Sequence, residues 1–398
     1  MQNVTECRLC SKPELIEFLD LGKQPLANKY PYEKDFATED FFPLSVHFCK
    51  NCKNVQLGTI VSRARMFEDY YYLSSVNPGL VRHFQEMAKT LAKEKFVVDI
   101  GSNDGILLKP LKELGVKAIG VDPSINVSKI ANDQGLTTIT AFFNEEVAEQ
   151  IVQDYGKPTA VVASSIFTHL ENPHAFIKGV EKLMDDNGSF IIEVEYIGNI
   201  LKDIQFERFY LDRIFYYSLT SLRDLFALYD MTVTDVEKIA PHGGSLRVEV
   251  KKANPNHRPS ERVTRLLKEE EQTLNPAALE KFRQTVDQYV NDFRNKLIAY
   301  KKANIKVAGY GAPARVSTIC NYGKIDSSLI PFLIDDSPLK QNRHSPGTHI
   351  PIFSNEYLEK NKADALVVFA YEYFDDIKEK TKHGKYKYMT AIPPQEIS

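Results

Sequence analysis

Four of the five cysteines fall in two pairs, Cys7-x-x-Cys10 and Cys49-x-x-Cys52. Thiolates at this spacing grip one ion from two knuckles, so in a reducing compartment the pairs predict a tetrahedral zinc site with four cysteine ligands. Such a site is closed and has no open coordination position, which makes it a staple of the fold rather than a catalyst. The fifth, Cys320, stands alone and reads as a small buried residue. A second chemical feature is the stretch Phe96-Val-Val-Asp-Ile-Gly-Ser-Asn-Asp-Gly-Ile-Leu-Leu108. An apolar run breaks at Gly101 and Gly105 and resumes as a helix, so backbone N–H groups are offered where a nucleotide-like ligand can sit. The next apolar run ends in Asp122, an acid placed to accept both ribose hydroxyls of a nucleoside. A dinucleotide fold would carry G-x-G-x-x-G. Here the turn is Gly101-Ser-Asn-Asp-Gly105, which suits S-adenosylmethionine at least as well as NAD.

The elements that must hold these residues follow from periodicity. Strands are predicted at 96–100, 117–122, 137–140, 159–163 and 189–195, with helices between them at 106–114, 124–134, 144–155 and 173–185. This alternation implies a parallel sheet covered on both faces, with ligands at the carboxyl ends of the strands. Upstream, residues 1–70 read as a zinc-stapled cap with short strands at 45–49 and 55–60. The aromatic tract Asp69-Tyr-Tyr-Tyr-Leu-Ser-Ser75 and a helix over 78–94 come next. Downstream lie a helix at 220–229 and strands at 231–239 and 245–251, a hairpin that would close the sheet. A polar linker at 254–259 leads into charged helices over 260–302, broken at Asn275-Pro276. A second α/β unit opens at Lys306, with strands at 329–334 and 365–370 forming a small parallel sheet. The expected division is 1–70, 71–253, 254–302 and 303–398.

Composition bounds the function. With 398 residues the chain exceeds one typical core. Its 43% hydrophobic and 26% charged residues are those of an ordinary globular protein. A net charge of −3 provides no footprint for nucleic acid, and no apolar window is long enough for a membrane span. Residues 1–30 lack the apolar stretch of a secretory signal. The expectation is a cytoplasmic protein, monomeric or a small homo-oligomer, acting on a small molecule.

The cysteine pairs, Asp99-Ile-Gly-Ser-Asn-Asp-Gly105, His242-Gly-Gly-Ser245, Gly309-Tyr-Gly-Ala-Pro-Ala-Arg315, Asp335-Asp-Ser-Pro-Leu-Lys340 and Pro346-Gly-Thr-His-Ile-Pro351 occur in one order. In this the chain resembles, over nearly its whole length, the C-methyltransferases that modify nucleotide-linked keto-deoxysugars. The resemblance implies three α/β parts: a small zinc-stapled N-terminal domain, a central class I methyltransferase domain of Rossmann-like form, and a C-terminal Rossmann-like domain that helps hold the sugar nucleotide. It implies S-adenosylmethionine contacts at Gly101, Asn103, Gly105, Asp122 and a tyrosine of the aromatic tract, Tyr71 or Tyr72, with Ser164 and Ser165 near the methionine portion. Gly309, Tyr310, Gly311, Arg315 and Lys340 would face the sugar nucleotide.

Methylation beside a ketone needs a base for the acidified C–H and a donor for the developing enolate. Members of the family usually carry Tyr-His-Glu-His where this chain reads Tyr210-Leu-Asp-Arg213, and a histidine at the position of His169. The tyrosine and a carboxylate are kept, but both histidines of the motif are lost. Arg213 stays protonated and cannot act as a base. Three explanations stay open. Proton abstraction has moved to Asp212, His169 or His242; or the acceptor is a non-sugar or acidic molecule that Arg213 holds; or the reaction is no longer C-methylation. A further alternative is a non-catalytic binder of nucleotide sugars.

Overall fold

The computed structural model describes residues 2–62 and 73–397, so Tyr71 and Tyr72 lie outside the described residues. Seven strands build the central sheet: β1 (Phe96–Ile100), β2 (Lys117–Asp122), β3 (Thr138–Thr140), β4 (Ala160–Ser164), β5 (Ser189–Glu195), β6 (Met231–Ile239) and β7 (Ser245–Lys252). Their spatial order is β3-β2-β1-β4-β5-β7-β6. The first five run parallel, while β7 is antiparallel to both β5 and β6, so the expected hairpin does close the sheet. Because side chains alternate along a strand, Val97 packs with Met87, Ala88 and Leu111 on one face. Val98 and Ile100 pack with Ile151, Ile177 and Val180 on the other. Chain order reverses at the carboxyl ends of β1 and β4, the crevice where ligands bind in such sheets.

The N-terminal sheet contains Leu15–Pro25, Phe41–Cys49 and Val55–Leu57. Its fourth strand comes from far along the chain: Phe215–Tyr216 pairs antiparallel with Val55–Leu57. Helix Glu261–Thr273 is capped by Ser260, and helix Pro276–Lys302 by Asn275 with proline in its first turn, as the predicted break requires. The longer helix buries Leu279, Phe282, Val286, Val290, Phe293 and Leu297 at helical spacing. Phe282 meets Phe18 of the N-terminal sheet, and Phe293 meets Phe369 of the C-terminal unit.

The C-terminal sheet has the order Ile352–Phe353, Leu333–Ile334, Val307–Tyr310, Ala365–Val368, Lys387–Thr390 and Glu396–Ile397. It is not wholly parallel as expected, since its last pair is antiparallel. Its second strand is also shorter than the predicted 329–334. Pro331 inside that run has no N–H for a ladder, and pairing begins only at Leu333. No helix among the described residues is long and apolar enough to cross a membrane.

Candidate active site

The sulfur atoms of Cys7, Cys10, Cys49 and Cys52 all lie within 4.8 Å of one another. Two of the separations, Cys7–Cys52 and Cys10–Cys49, are 3.6 Å. That is far beyond a disulfide bond of about 2.05 Å. It is close to the ~3.8 Å edge of a tetrahedron with zinc–sulfur bonds of about 2.3 Å. The donors therefore fit zinc, with all four as ligands.

The glycine turn leaves β1 at the switch point. Gly101 has φ +81° and Gly105 φ +83°, a region L-residues rarely enter. A Cβ on Gly101 would fall 2.3 Å from Ile166, and one on Gly105 would fall 2.4 Å from Leu136. The two glycines are thus demanded by backbone shape and packing together. Asn103, also left-handed at φ +48°, donates its N–H to Asp122 Oδ2 at 3.0 Å, and Ser124 N donates to Asp122 Oδ1 at 2.9 Å. The acid that ends β2 is thereby fixed under the turn, its pKa raised by burial. Asp99, on β1 itself, is pushed up to about 8 by burial and by the charges of Asp122 and Glu193. Ser102 Oγ and Asp104 Oδ1 are buried with no hydrogen-bond partner among the described residues. A polar-lined turn of this kind fits an amino-acid and ribose ligand.

At the neighbouring strand end, Ser164 Oγ donates to Glu193 Oε2 at 2.6 Å. Glu193 also meets His83 Nε2 at 2.9 Å and accepts from Arg247 Nε at 2.8 Å. Burial would raise this carboxyl, but His83 and Arg247 outweigh it and hold it below its usual range. Ser165, at φ +62°, points its hydroxyl at His242 Nε2, 3.0 Å away. His242 is itself left-handed at φ +55° and lies on the hairpin between β6 and β7. Burial pushes its pKa down to about 3, and the cations of Arg213 and Arg208 press the same way, so the imidazole is neutral at working pH.

The segment 210–213 faces this corner. His169 Nδ1 donates to the Asp212 carbonyl at 2.5 Å. The Asp212 side chain is buried, which raises its pKa, and its Oδ2 accepts from Asn28 Nδ2 at 2.7 Å. Arg213 stacks over the Tyr210 ring at 4.7 Å and forms an ion pair with buried Glu195 at the end of β5. Tyr210 is held protonated by burial.

A line of charges then runs to the C-terminal unit. Arg208 lies 3.9 Å from Glu195 and 3.1 Å from Glu372, and Arg315 lies 2.6 Å from Glu372 while stacking on Tyr371. Of the residues expected to face a sugar nucleotide, only Arg315 joins this line. Gly309 sits within its strand, where a Cβ would strike Leu333, and Tyr310 is buried with its hydroxyl on Asn355. Gly311 makes the turn at φ +83°, and Lys340 caps the Ala312 carbonyl and Asp335 at 3.1 and 3.3 Å. Sequence reasoning passed over Glu193, Glu195 and His83. The available signal was two acids, two residues apart, at the end of an otherwise apolar strand, where one face of the sheet receives both.

Comparison with known proteins resolves the chain into matched families. Residues 7–67 match a zinc binding domain, 72–236 a methyltransferase domain, and 240–393 the C-methyltransferase C-terminal domain. Across 99% of its length the chain is 30% identical to the C-methyltransferase NovU of Streptomyces niveus, covering 97% of that protein. The chain belongs to the C-methyltransferase family. A shorter match, 26% identical over 30% of this methyltransferase, is to a ubiquinone biosynthesis O-methyltransferase of Azorhizobium caulinodans, of which it covers 49%. Among solved structures, a magnesium protoporphyrin IX methyltransferase of Synechocystis PCC 6803 is 17% identical, with TM-score 0.35, covering 48% of this chain and 92% of that one. The protein is therefore an enzyme that uses S-adenosylmethionine to methylate carbon in a small molecule, with a structural zinc in its N-terminal part.

Proposed function

We propose that the acceptor is a nucleotide-linked keto-deoxysugar, methylated at a carbon next to its ketone. The observation that carries this reading is the cluster of Asp212, Tyr210 and Arg213 beside the end of β5. Arg213 already pairs with Glu195, so the cation at that position does not call for a carboxylate on the substrate. That favours a keto-sugar over an acidic acceptor.

Asp212 is the base in this scheme. Its buried carboxylate has a raised pKa, nearer the working range than an ordinary aspartate, and His169 steadies its main chain. Asp212 takes the proton, the C–H electron pair becomes an enolate, and the protonated Tyr210 hydroxyl with the Arg213 guanidinium faces the developing oxyanion. S-adenosylmethionine, when bound, would supply the methyl group that the enolate carbon accepts, leaving as the neutral thioether. His242, kept neutral, orients Ser165 at the end of β4. Ser164, Asn103 and Asp122 are assigned to the cofactor. Ile125 and Phe142 follow the ends of β2 and β3, are 77% and 62% exposed, and offer an apolar pair for its adenine. Arg315 is assigned to the nucleotide phosphates.

Incubation with labelled S-adenosylmethionine and a panel of nucleotide-linked keto-sugars tests the reading. Methyl transfer to sugar carbon is expected, and Asp212→Asn should lower kcat at least ~100-fold while cofactor affinity is kept. Consumption of cofactor with no methylated sugar would refute it.

A further inference from the structure

We propose that Asn28, on the zinc-stapled part of the chain, is a positioning residue for Asp212 that keeps this carboxylate ionised and aimed. The inference rests on the reading of Asp212 as the base. Asn28 itself lies on an exposed stretch after the strand Leu15–Pro25, where a polar side chain needs no special explanation. Its surroundings are unusual. Leu26 and Ala27, just before it, are 5% and 2% exposed and belong to the buried core. Tyr30, just after it, donates its hydroxyl to the Ala312 carbonyl at 2.7 Å, and its own carbonyl accepts from Arg343 Nη1 at 3.2 Å. Pro31 O accepts from His344 N at 3.0 Å. The backbone is pinned on both sides of Asn28, which sets where its amide is presented.

That fixed amide meets the one carboxylate of the segment 210–213, with Asn28 Nδ2 2.7 Å from Asp212 Oδ2. A carboxylate only accepts, so the amide nitrogen must be the atom facing it. Burial drives Asp212 toward its neutral form, whereas the Asn28 N–H and the Arg213 charge favour the anion. Asn28 therefore opposes the burial that would otherwise protonate the base. It also fixes which oxygen is occupied, leaving the other to face the acceptor. Among the described residues, the other titratable groups around Asp212 are Tyr210 and Arg213 on its own segment, Tyr30 from the loop and His169 from the turn after β4.

The test uses the full zinc-loaded protein with Asn28→Ala, Asn28→Asp and Asn28→Gln. The Asp212 carboxyl is followed by carbon NMR with labelled aspartate, its resonance assigned through Asp212→Asn. In Asn28→Ala the titration midpoint is expected to rise by about one pH unit, further in Asn28→Asp, and to return part-way in Asn28→Gln. Thermal midpoints should match the parent within about 1–2 °C, the spread of exposed-site changes. With an acceptor, the acid limb of the kcat profile should move up by the same interval while the KM for S-adenosylmethionine holds. A midpoint unmoved in both the alanine and aspartate variants overturns the proposal. The titration needs no acceptor, so its failure is separate from failure of the base assignment, which full turnover by Asp212→Asn would reveal.

Discussion

Arginine at position 213 has exchanged a group that could carry a proton for one that cannot, and the partner of that exchange is Glu195. The carboxylate is 4% exposed and would be costly alone; burial raises its pKa, and Arg213 with Arg208 draws it back toward the charged form. Removing one member of a buried pair usually costs about 3–5 kcal/mol, whereas replacing both is tolerated far better. Arg213→Met should therefore lower unfolding free energy by roughly 3 kcal/mol, measured by chemical denaturation. Because the Glu195 pKa is raised in the folded state and rises further without its partner, the folded state binds the proton more tightly than the unfolded chain. The deficit should be small at low pH, grow as pH climbs from the parent's raised Glu195 value to the still higher one of the variant, and level off above it. Adding Glu195→Gln should remove that slope. A pH-independent deficit in Arg213→Met would contradict the ion-pair account. Arg213→His is expected to give no gain in turnover, since the shorter ring would pair with Glu195.

At the scale of elements, the segment assigned to the chemistry is tied to the N-terminal sheet. Phe215–Tyr216 is the edge strand of the N-terminal sheet, and Leu57 N donates to Ile214 O at 2.9 Å, one residue beyond Arg213. The zinc cluster lies in the same sheet, at Cys49 and in the turn to Cys52 just before Val55. Stripping zinc, or Cys10→Ser, should thus loosen 210–214 while leaving the cofactor turn on β1 intact. The expected result is a fall in kcat of about 10- to 100-fold, the scale of a 1 Å misplacement, with S-adenosylhomocysteine affinity unchanged by calorimetry; parallel loss of both would contradict it. This link could not be read from sequence, because a two-residue strand carries no periodicity and its partner lies some 160 residues away. The central strands were legible because Phe96–Ile100 and its neighbours are short apolar runs between turn residues. Leu15–Pro25 was not, since register shifts between Glu17 and Leu19 and between Asp20 and Lys23 break its alternation. Of the site, the glycine turn, Asp122 and the cysteines announce themselves by residue type. The Glu195–Arg208–Glu372–Arg315 line forms only through long-range packing, and Arg208 and Glu372 alone look like surface charge.

For the whole molecule, one apolar core packs the zinc cysteines against the central sheet, and a second crosses the boundary between the N-terminal and C-terminal sheets. The second joins Phe18 and Val46 of the N-terminal sheet, Phe206, Phe209 and Leu211 just before and within the segment 210–213, Phe282 and Phe293 of the long helix, and Val307, Ile319 and Val367 of the C-terminal unit. A polar clasp adds to it: Phe36 stacks on His349 at 3.7 Å, and Glu39 meets the same ring at 2.7 Å. Interfaces between independent domains are usually more polar and allow each part to melt alone. Here the N-terminal sheet cannot leave without exposing Phe282, and the C-terminal sheet cannot leave without exposing Phe293. The acceptor site proposed above draws on all three parts, and on that reading Asn28, Asp212 and Arg315 must keep their mutual distances. Thermal unfolding should therefore be one cooperative event, with far-UV circular dichroism and zinc release, followed by a thiol-sensitive dye, sharing a midpoint. Phe282→Ala removes a ring at the centre of the shared core and should cost about 3–5 kcal/mol, lowering both midpoints together. If zinc release moved while the circular dichroism transition stayed, the N-terminal sheet would be melting by itself, and the shared core would not be what holds the site together.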